Sequence, residues 1–309
     1  MQIRNVLMAI VVLAVWLFPA PQDGQIVVDP LHPGRMVYHN TLLPDGRLKP
    51  VFIAGPGDPE DLFYNGQQTD VDFLIAKGAR CTYITAYLAD FGGGNPGSGA
   101  AMDATLNQWE AWITQLENAG IISVFFFYDD SYNFGLPSGW QTSVDKIVAK
   151  LKHHKLLVWS VAEEYGESLS GADVSAVAAR IKAQDDRGHV VGVHQNSGTS
   201  FHFNSNVNLE MFLIQYNVTS AGAIHSGLLS AWSDVGGNKI LNLAEVADHA
   251  MQSRATVRRW NWAAAMGGAS AVQVLWMGRA SDPAANNDQG KYDDCAALMD
   301  FFQSSDFNF

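Results

Sequence analysis

Eight short apolar runs recur along the chain at intervals of roughly 30 residues, and this repetition restricts the possible folds more than any other feature. The runs are rich in β-branched, leucine and aromatic residues, as is typical of strands that are covered on both faces. We expect strands at residues 51–55, 81–87, 121–128, 156–162, 190–194, 212–216, 240–245 and 271–276. Eight strands, each followed by a helical or short connection, predict the α/β class and a (β/α)8 TIM barrel.

The connections between these strands carry apolar residues at helical spacing. We expect helices at residues 69–77, 106–119, 144–151, 174–184, 244–251, 255–266 and 293–302, and at most one helical turn within 201–210. A doubly wound sheet is disfavoured, because the loop after the first strand reads Gly55-Pro56-Gly57-Asp58-Pro59. It has proline where a phosphate-binding helix would offer N–H groups.

Two further features precede the barrel. Residues 35–40 and 47–52 flank Pro44-Asp45-Gly46, which predicts an N-terminal β-hairpin below or beside the barrel. Earlier still, Arg4 is followed by an uncharged apolar run of about 13 residues, which resembles a secretory signal and is short for a membrane span. We therefore expect a signal-like or anchor segment at 1–24, a single catalytic barrel at 25–309, and export to a secreted or periplasmic location. No stable membrane partner is expected beyond that anchor.

Charge and aromatic content narrow the classes of partner. The net charge of −12 and the pI near 5.0 disfavour nucleic acid, because an acidic chain repels phosphates. The 34 aromatic residues (9 Trp, 9 Tyr and 16 Phe) fit a neutral carbohydrate polymer, since aromatic rings stack on sugar faces. Cys81 and Cys295 are too few for a disulfide framework and too far apart for a zinc motif, so we expect buried thiols. No cofactor and no metal is expected.

Polar or aromatic residues follow almost every predicted strand. Barrel enzymes place their catalytic groups at the carboxyl ends of the strands, so these residues are the candidates for a site. In chain order they are Asp58, Asp129, Asp130, Glu163, Glu164, Tyr165, His194, Gln195, Tyr216, Glu245 and Trp276.

Two of these candidates, Glu164 and Glu245, end the fourth and seventh predicted strands, which face each other across an eight-stranded barrel. Glycoside hydrolysis needs such a pair, one acid to protonate the leaving oxygen and one carboxylate to act on the anomeric carbon. Glu245 could instead begin the following helix, and Glu163 and Glu164 could be a surface pair. Because neighbours on a strand point to opposite faces, at most one of Glu163 and Glu164 is expected to point straight into the mouth.

The run from His154 to Tyr165 resembles the fourth strand of the retaining barrel glycosidases called clan A, which usually ends in Gly-Asn-Glu. Here Ala162 takes the place of the glycine, Glu163 that of the asparagine and Glu164 that of the acid/base. A Gly-Glu-Glu ending is found in the apiosidase-like barrel hydrolases, which the N-terminal region also resembles in His32-Pro33-Gly34, the Asp-Gly hairpin and Gly57-Asp58.

The resemblance implies a glycosidase that retains configuration and acts on a poly- or oligosaccharide without a cofactor. It implies that Glu164 is the acid/base and Glu245 the nucleophile, that Tyr216 contacts the nucleophile, and that Trp276 lies under the sugar. The other strand-end candidates are expected to bind substrate. Two alternatives stay open: a non-catalytic carbohydrate-binding barrel, and a metal-dependent barrel hydrolase that uses His194, His202 and His225.

Overall fold

A computed structural model of the chain describes residues 20–57, 68–86, 100–129, 135–246, 252–275 and 288–304. Its centre is an eight-stranded parallel sheet with the order β4-β11-β10-β9-β8-β7-β6-β5. The strands are β4 (Ile53–Pro56), β5 (Cys81–Thr85), β6 (Ile122–Phe126), β7 (Leu157–Ser160), β8 (Val191–Gln195), β9 (Met211–Tyr216), β10 (Ile240–Val246) and β11 (Ala271–Leu275). All eight predicted strands are confirmed.

The two ends of this sheet, β4 and β5, come together and nearly close the barrel. Cys81 Sγ lies 3.9 Å from the carbonyl oxygen of Pro56. A Cβ added to Gly55 would lie 2.7 Å from the same sulfur, so the absence of a side chain at this position allows the close approach. The (β/α)8 barrel predicted from the sequence is therefore confirmed.

Helices surround the barrel and bury its outer face. They are α1 (Gln68–Lys77), α2 (Ala100–Asn118), α3 (Trp140–Leu151), α4 (Tyr165–Ser168), α5 (Gly171–Gln184), α6 (Ala221–Asp234), α7 (Arg254–Met266) and α8 (Gln289–Phe302). An aromatic cluster shows the packing between layers: Trp109 of α2 meets Phe125 of β6 edge to face at 5.9 Å, and Phe125 meets Trp159 of β7 at 5.6 Å. Such pairs add to the burial of large apolar surfaces.

The helix predictions are wrong at two places. Ala244–Val246 continues β10 instead of starting a helix, while residues 247–251 lie outside the described residues. Helix α6 was not predicted, and residues 201–210 form turns without a helix.

A three-stranded antiparallel sheet, β1 (Ile26–Val28), β2 (Met36–Leu42) and β3 (Leu48–Val51), contains the predicted hairpin. Gly46 has φ 86°, a left-handed conformation that suits glycine in the Asp-Gly turn. The Ile26 N–H donates to the Lys155 carbonyl just before β7, and Ser270 Oγ, just before β11, donates to the Gly34 carbonyl. The sheet therefore covers the amino-terminal end of the barrel and leaves the carboxyl end for a site.

Among the described residues, no helix combines the length and apolar character that crossing a membrane needs.

Candidate active site

Glu245 is turned into the barrel by an irregularity in β10. The pairing of β10 with β9 shifts between Leu243 and Glu245, so that Glu245 lies opposite Gln215. Asn242, three residues earlier, also faces the interior, because its Nδ2 reaches the Tyr83 hydroxyl of the non-adjacent strand β5 at 3.4 Å. Strict alternation would place Glu245 on the outer face. One extra residue in the strand, a β-bulge, reverses that direction.

Glu164 reaches the same region from β7. Gln215 Nε2 donates a hydrogen bond to Glu164 Oε1 at 2.5 Å. Glu164 is also hydrogen-bonded to Glu245 and to Glu167 of α4. Gln215 lies beside Glu245 on paired strands, so one amide and two carboxyl groups meet at the carboxyl end of the barrel.

The backbone of Glu164 is strained. Its φ of 35° and ψ of 50° are left-handed, and α4 begins at the next residue. A non-glycine residue in a sparsely populated conformation costs about 1–3 kcal/mol, and such residues cluster at functional sites. The turn directs the side chain towards Gln215 and Glu245, where the hydrogen bonds offset part of this cost.

The surroundings of Glu164 favour its protonated form. Burial raises its pKa, the charge of Glu245 and the hydrogen bonds to Glu167 and Glu245 add to the effect, and the pKa reaches about 9. A hydrogen bond between two carboxyl groups requires a proton on one of them. The raised pKa agrees in direction with the requirement for a general acid.

His194 supports Glu164 from β8. The Glu164 backbone N–H donates to His194 Nδ1 at 3.4 Å, which places the ring proton on Nε2. The ring is 1% exposed, and burial lowers its pKa to about 4 although the charge of Glu245 acts in the opposite direction. His194 is therefore neutral at pH 7. Its buried Nε2 has no hydrogen-bond partner among the described residues, so it can donate to a bound molecule.

Glu163 also contributes its charge to the barrel interior. Its side chain is buried. Burial holds the pKa of Tyr83 well above its usual range, and the charges of Cys81 and then of Glu163 add to this effect. Tyr83 faces the interior, as its contact with Asn242 shows. Strand alternation does not set the direction of its side chain, because β7 ends at Ser160 and the chain then turns.

Two other predicted site residues use their polar atoms within the protein. Tyr165 Oη lies 2.5 Å from His202 Nδ1, and its ring packs edge to face against Phe203. Gln195 is 1% exposed; its Nε2 donates to the carbonyl oxygens of Ser197 and Ser200, and its Oε1 accepts from the His202 N–H. The structure thus places Gln195 as a residue that orders the loop after β8 and not as a lining residue of the mouth.

Asp129 lies just after β6 and is half-buried. The predictions for Asp58, Asp130 and Trp276 fall outside the described residues.

Tyr216 points away from the mouth, which corrects the expectation that it contacts Glu245. A Cβ added to Gly227 of α6 would lie 2.3 Å from Tyr216 Cε1, so the ring packs on the outer helix. Neighbours on a strand face opposite sides, and Gln215 holds the inward position instead. A polar residue within the otherwise apolar strand was the signal in the sequence that could have identified Gln215.

Gly227→Ala tests this orientation. We expect it to lower the free energy of unfolding by about 1–3 kcal/mol, because the methyl group overlaps the Tyr216 ring. Gly222→Ala is the matched control, since nothing lies within 4 Å of its added Cβ on the same helix, and it should be neutral or slightly stabilising. Urea unfolding measures both. Equal effects of the two changes would contradict the outward position of Tyr216.

The three histidines considered for a metal-dependent hydrolase do not converge. His194 lies at the barrel mouth, His202 contacts Tyr165, and His225 is on α6. In the described part of the chain, these three do not belong to any group of potential metal ligands. Glu167 and Gln215, in contrast, contact Glu164 and were not among the site residues predicted from the sequence.

Solved structures with this barrel include several carbohydrate-active enzymes. A glycoside hydrolase family 5 protein from Bacteroides vulgatus matches with a TM-score of 0.57 and 14% identity over 81% of this chain and 61% of that one. The endo-1,4-β-mannanase of Rhizomucor miehei matches with a TM-score of 0.57 and 12% identity over 89% and 99%. The β-mannanase of the mussel Mytilus edulis matches with a TM-score of 0.60 and 12% identity over 88% and 96%.

This chain spans 61% of the Bacteroides protein above and 60% of a second protein from the same organism. No protein-family model and no curated protein sequence matches it. At identities of 12–14%, the structural similarities show a shared fold.

Proposed function

We propose that this protein is a glycoside hydrolase that cleaves a poly- or oligosaccharide with retention of configuration. The observation that carries the proposal is the meeting of Glu164 and Glu245 beside Gln215 at the carboxyl end of the barrel, where burial and the charge of Glu245 raise the pKa of Glu164. A double displacement uses a neutral carboxylic acid and a second carboxylate about 5–5.5 Å apart, so this pair offers the required groups once a sugar separates them. Barrels of the same fold in the mannanases named above support a carbohydrate substrate.

In this proposal Glu245 is the nucleophile and Glu164 the acid/base. Glu245 attacks the anomeric carbon and forms a covalent glycosyl–enzyme bond, while Glu164 transfers its proton to the departing glycosidic oxygen. Glu164 then takes a proton from water, and the water oxygen attacks the same carbon and releases Glu245. The two steps invert the anomeric centre twice, so configuration is retained.

The neighbouring residues have separate tasks in this reaction. Gln215 Nε2 fixes the orientation of the Glu164 carboxyl group through its hydrogen bond to Oε1. The hydrogen bond between Glu164 and Glu245 must break when a sugar enters, and the incoming glycosidic oxygen then becomes the proton acceptor. His194 is neutral and offers its Nε2–H, which suits a substrate hydroxyl group or an ordered water. Glu163 is proposed to shape the electrostatic field around the sugar.

Export of the protein is part of the proposal, since a polymeric glycan is met outside the cell. Residues 20–24 already belong to the folded body: Arg187 donates to the Ala20 carbonyl, and Gln22 Nε2 donates to the His153 carbonyl. A signal cleavage before Ala20 would keep these contacts. Cleavage after Gly24 would remove them.

The test is a screen of the purified chain against aryl glycosides and against mannan, xyloglucan and other plant or algal polysaccharides. Products from at least one substrate are expected, and Glu164→Gln should release far less from the polysaccharide. Proton NMR during the first minutes of the reaction should show the product anomer with the configuration of the substrate. Inverted product would overturn the double displacement, and saturable glycan binding without any product would favour a carbohydrate-binding barrel instead.

A further inference from the structure

A second cluster of chemistry-bearing side chains lies on the outside of the barrel. Glu110 of α2 approaches His153 and His154, which follow α3. One potential ligand atom from each of the three residues lies within 4.8 Å of the other two. Within the cluster, His153 Nε2 lies 3.4 Å from Glu110 Oε1. The cluster precedes β7, so it lies towards the amino-terminal end of the barrel, away from the catalytic mouth.

His154 is oriented as a metal-binding histidine would be. Its ring is 2% exposed, and Nδ1 lies 2.6 Å from Glu117 Oε2. A carboxylate at this distance holds the proton on Nδ1 and leaves the lone pair on Nε2. Nε2 is buried and has no hydrogen-bond partner among the described residues. A buried acceptor without a partner lowers the stability of the fold unless a ligand satisfies it.

The surrounding backbone holds the His154 ring in place. Lys155 N–H donates to Glu117 Oε1 at 2.7 Å, so both carboxylate oxygens of Glu117 are used. His189 Nε2 lies 2.7 Å from the carbonyl oxygen of His154 and fixes the main chain there. The second carboxylate, Glu110, is ion-paired through Oε2 with Lys150 and keeps Oε1 towards His153.

We propose that Glu110, His153 and His154 form a site for a divalent transition metal, with Zn²⁺ as the preferred ion. Two imidazoles and one carboxylate oxygen suit zinc, while calcium and magnesium prefer oxygen ligands alone. His154 Nε2, His153 Nε2 and Glu110 Oε1 supply three ligands, and a water molecule completes the tetrahedron. Glu117 orients the metal-bound ring from behind.

Binding requires the ligand atoms, which lie within 4.8 Å of one another, to draw together around the ion. Ligand atoms about 2.0–2.2 Å from a tetrahedral zinc ion lie roughly 3.4 Å apart. The His153 side chain is 52% exposed and that of Glu110 is 26% exposed, so both can move towards the fixed ring of His154. The bound ion would link α2 to the segment that leads into β7. It would therefore stabilise the fold and take no part in the proposed hydrolysis.

The experiment uses the full chain without an affinity tag, freed of metal by a chelator and then titrated with ZnCl₂ in a calorimeter. We expect one equivalent of Zn²⁺ to bind and Tm to rise when the ion is added. Glu110→Gln and His153→Gln should each weaken binding at least about tenfold, and Glu117→Gln by about 10–100-fold. Co²⁺ added in place of Zn²⁺ should give ligand-field absorption that these variants lose.

His225→Gln, a change of one histidine on α6, is the matched control and should bind Zn²⁺ like the wild-type chain. Circular dichroism of the metal-free variants confirms that each is folded, and the partial exposure of Glu110 and His153 favours this result. The proposal is overturned if no saturable binding occurs up to about millimolar Zn²⁺, or if His153→Gln and Glu110→Gln bind the ion as tightly as the wild-type chain. Neither outcome depends on hydrolytic activity.

Discussion

Glu245→Gln is expected to lower kcat/KM by about 10⁴-fold or more on every substrate that the wild-type chain hydrolyses. The amide cannot attack the anomeric carbon, so the covalent intermediate does not form. The loss should not depend on how good the leaving group is, because attack by residue 245 is needed in every case. Initial rates on the glycosides found in the screen measure the effect.

Glu164→Gln provides the comparison that separates the two roles. A glycoside whose leaving group is a weakly basic phenol departs without a proton, so the first step should be much less affected in this variant. Polysaccharide cleavage should fall by about 10²–10⁴-fold, because a sugar hydroxyl leaves poorly without protonation. Azide, which needs no general base, should restore turnover of the activated glycoside by intercepting the covalent intermediate. Glu245→Gln should show no such dependence on the leaving group.

Glu163→Gln is the matched control for the choice between two neighbouring acids. Glu163 acts on the barrel interior through its charge, whereas Glu164 is hydrogen-bonded to Gln215 and Glu245. The Glu163 variant should therefore keep the leaving-group dependence of the wild-type chain, even if its rates fall. A leaving-group effect seen in Glu163→Gln and not in Glu164→Gln would mean that Glu163 is the acid/base. Substantial activity of Glu245→Gln would mean that another residue is the nucleophile.

The barrel could be predicted because its signal is local. Strands such as Leu157–Ser160 and Met211–Tyr216 are apolar runs bounded by loops, and their burial on both faces is visible in their composition. The carboxyl ends of such strands meet at one end of any parallel barrel, so Glu164 and Glu245 could be selected before their distance was known. Helix α6 escaped prediction because glycine and serine interrupt its apolar pattern.

The directions of the site residues could not be predicted, because they depend on contacts between distant segments. The bulge before Glu245 appears only in the register with β9, and the sequence of β10 carries no glycine or proline that would indicate it. Glu164 adopts its left-handed turn where the strand has ended, so alternation no longer applies. Tyr216 was assigned to the mouth by resemblance, but the register gives that place to Gln215.

Glu164→Gln should also stabilise the fold, and the gain is expected to increase as the pH rises from about 5 to about 9. The pKa of Glu164 is raised from 4.5 to about 9 in the folded chain, so folding takes up a proton throughout this window. The wild-type chain therefore has its full stability from this group below about pH 4.5 and loses it progressively as the pH approaches 9. Glutamine has no proton to take up, and its amide can still donate to Glu245.

The size of the gain follows from the linkage slope, which is at most about 1.4 kcal/mol per pH unit for one proton. Glu164 is only partly buried, and solvent screening reduces the pKa shift and therefore narrows the pH window over which this slope applies. Between about pH 5 and pH 8, the free energy of unfolding of Glu164→Gln should rise by about 1–2 kcal/mol relative to that of the wild-type chain. This corresponds to roughly 2–4 °C in Tm. Urea unfolding at closely spaced pH values measures the difference directly.

Glu167→Gln is the intermediate case in the same experiment. Glu167 is exposed, and its hydrogen bond and charge are two of the causes that raise the pKa of Glu164. Removing its charge should lower that pKa, so the pH-dependent loss of stability should end at a lower pH than in the wild-type chain, whereas Glu164→Gln removes this loss altogether. A stability difference between Glu164→Gln and the wild-type chain that stays constant from about pH 5 to pH 9 would show that Glu164 is ionised throughout. The residue that protonates the leaving oxygen would then have to be sought outside this pair, because an ionised Glu164 has no proton to give.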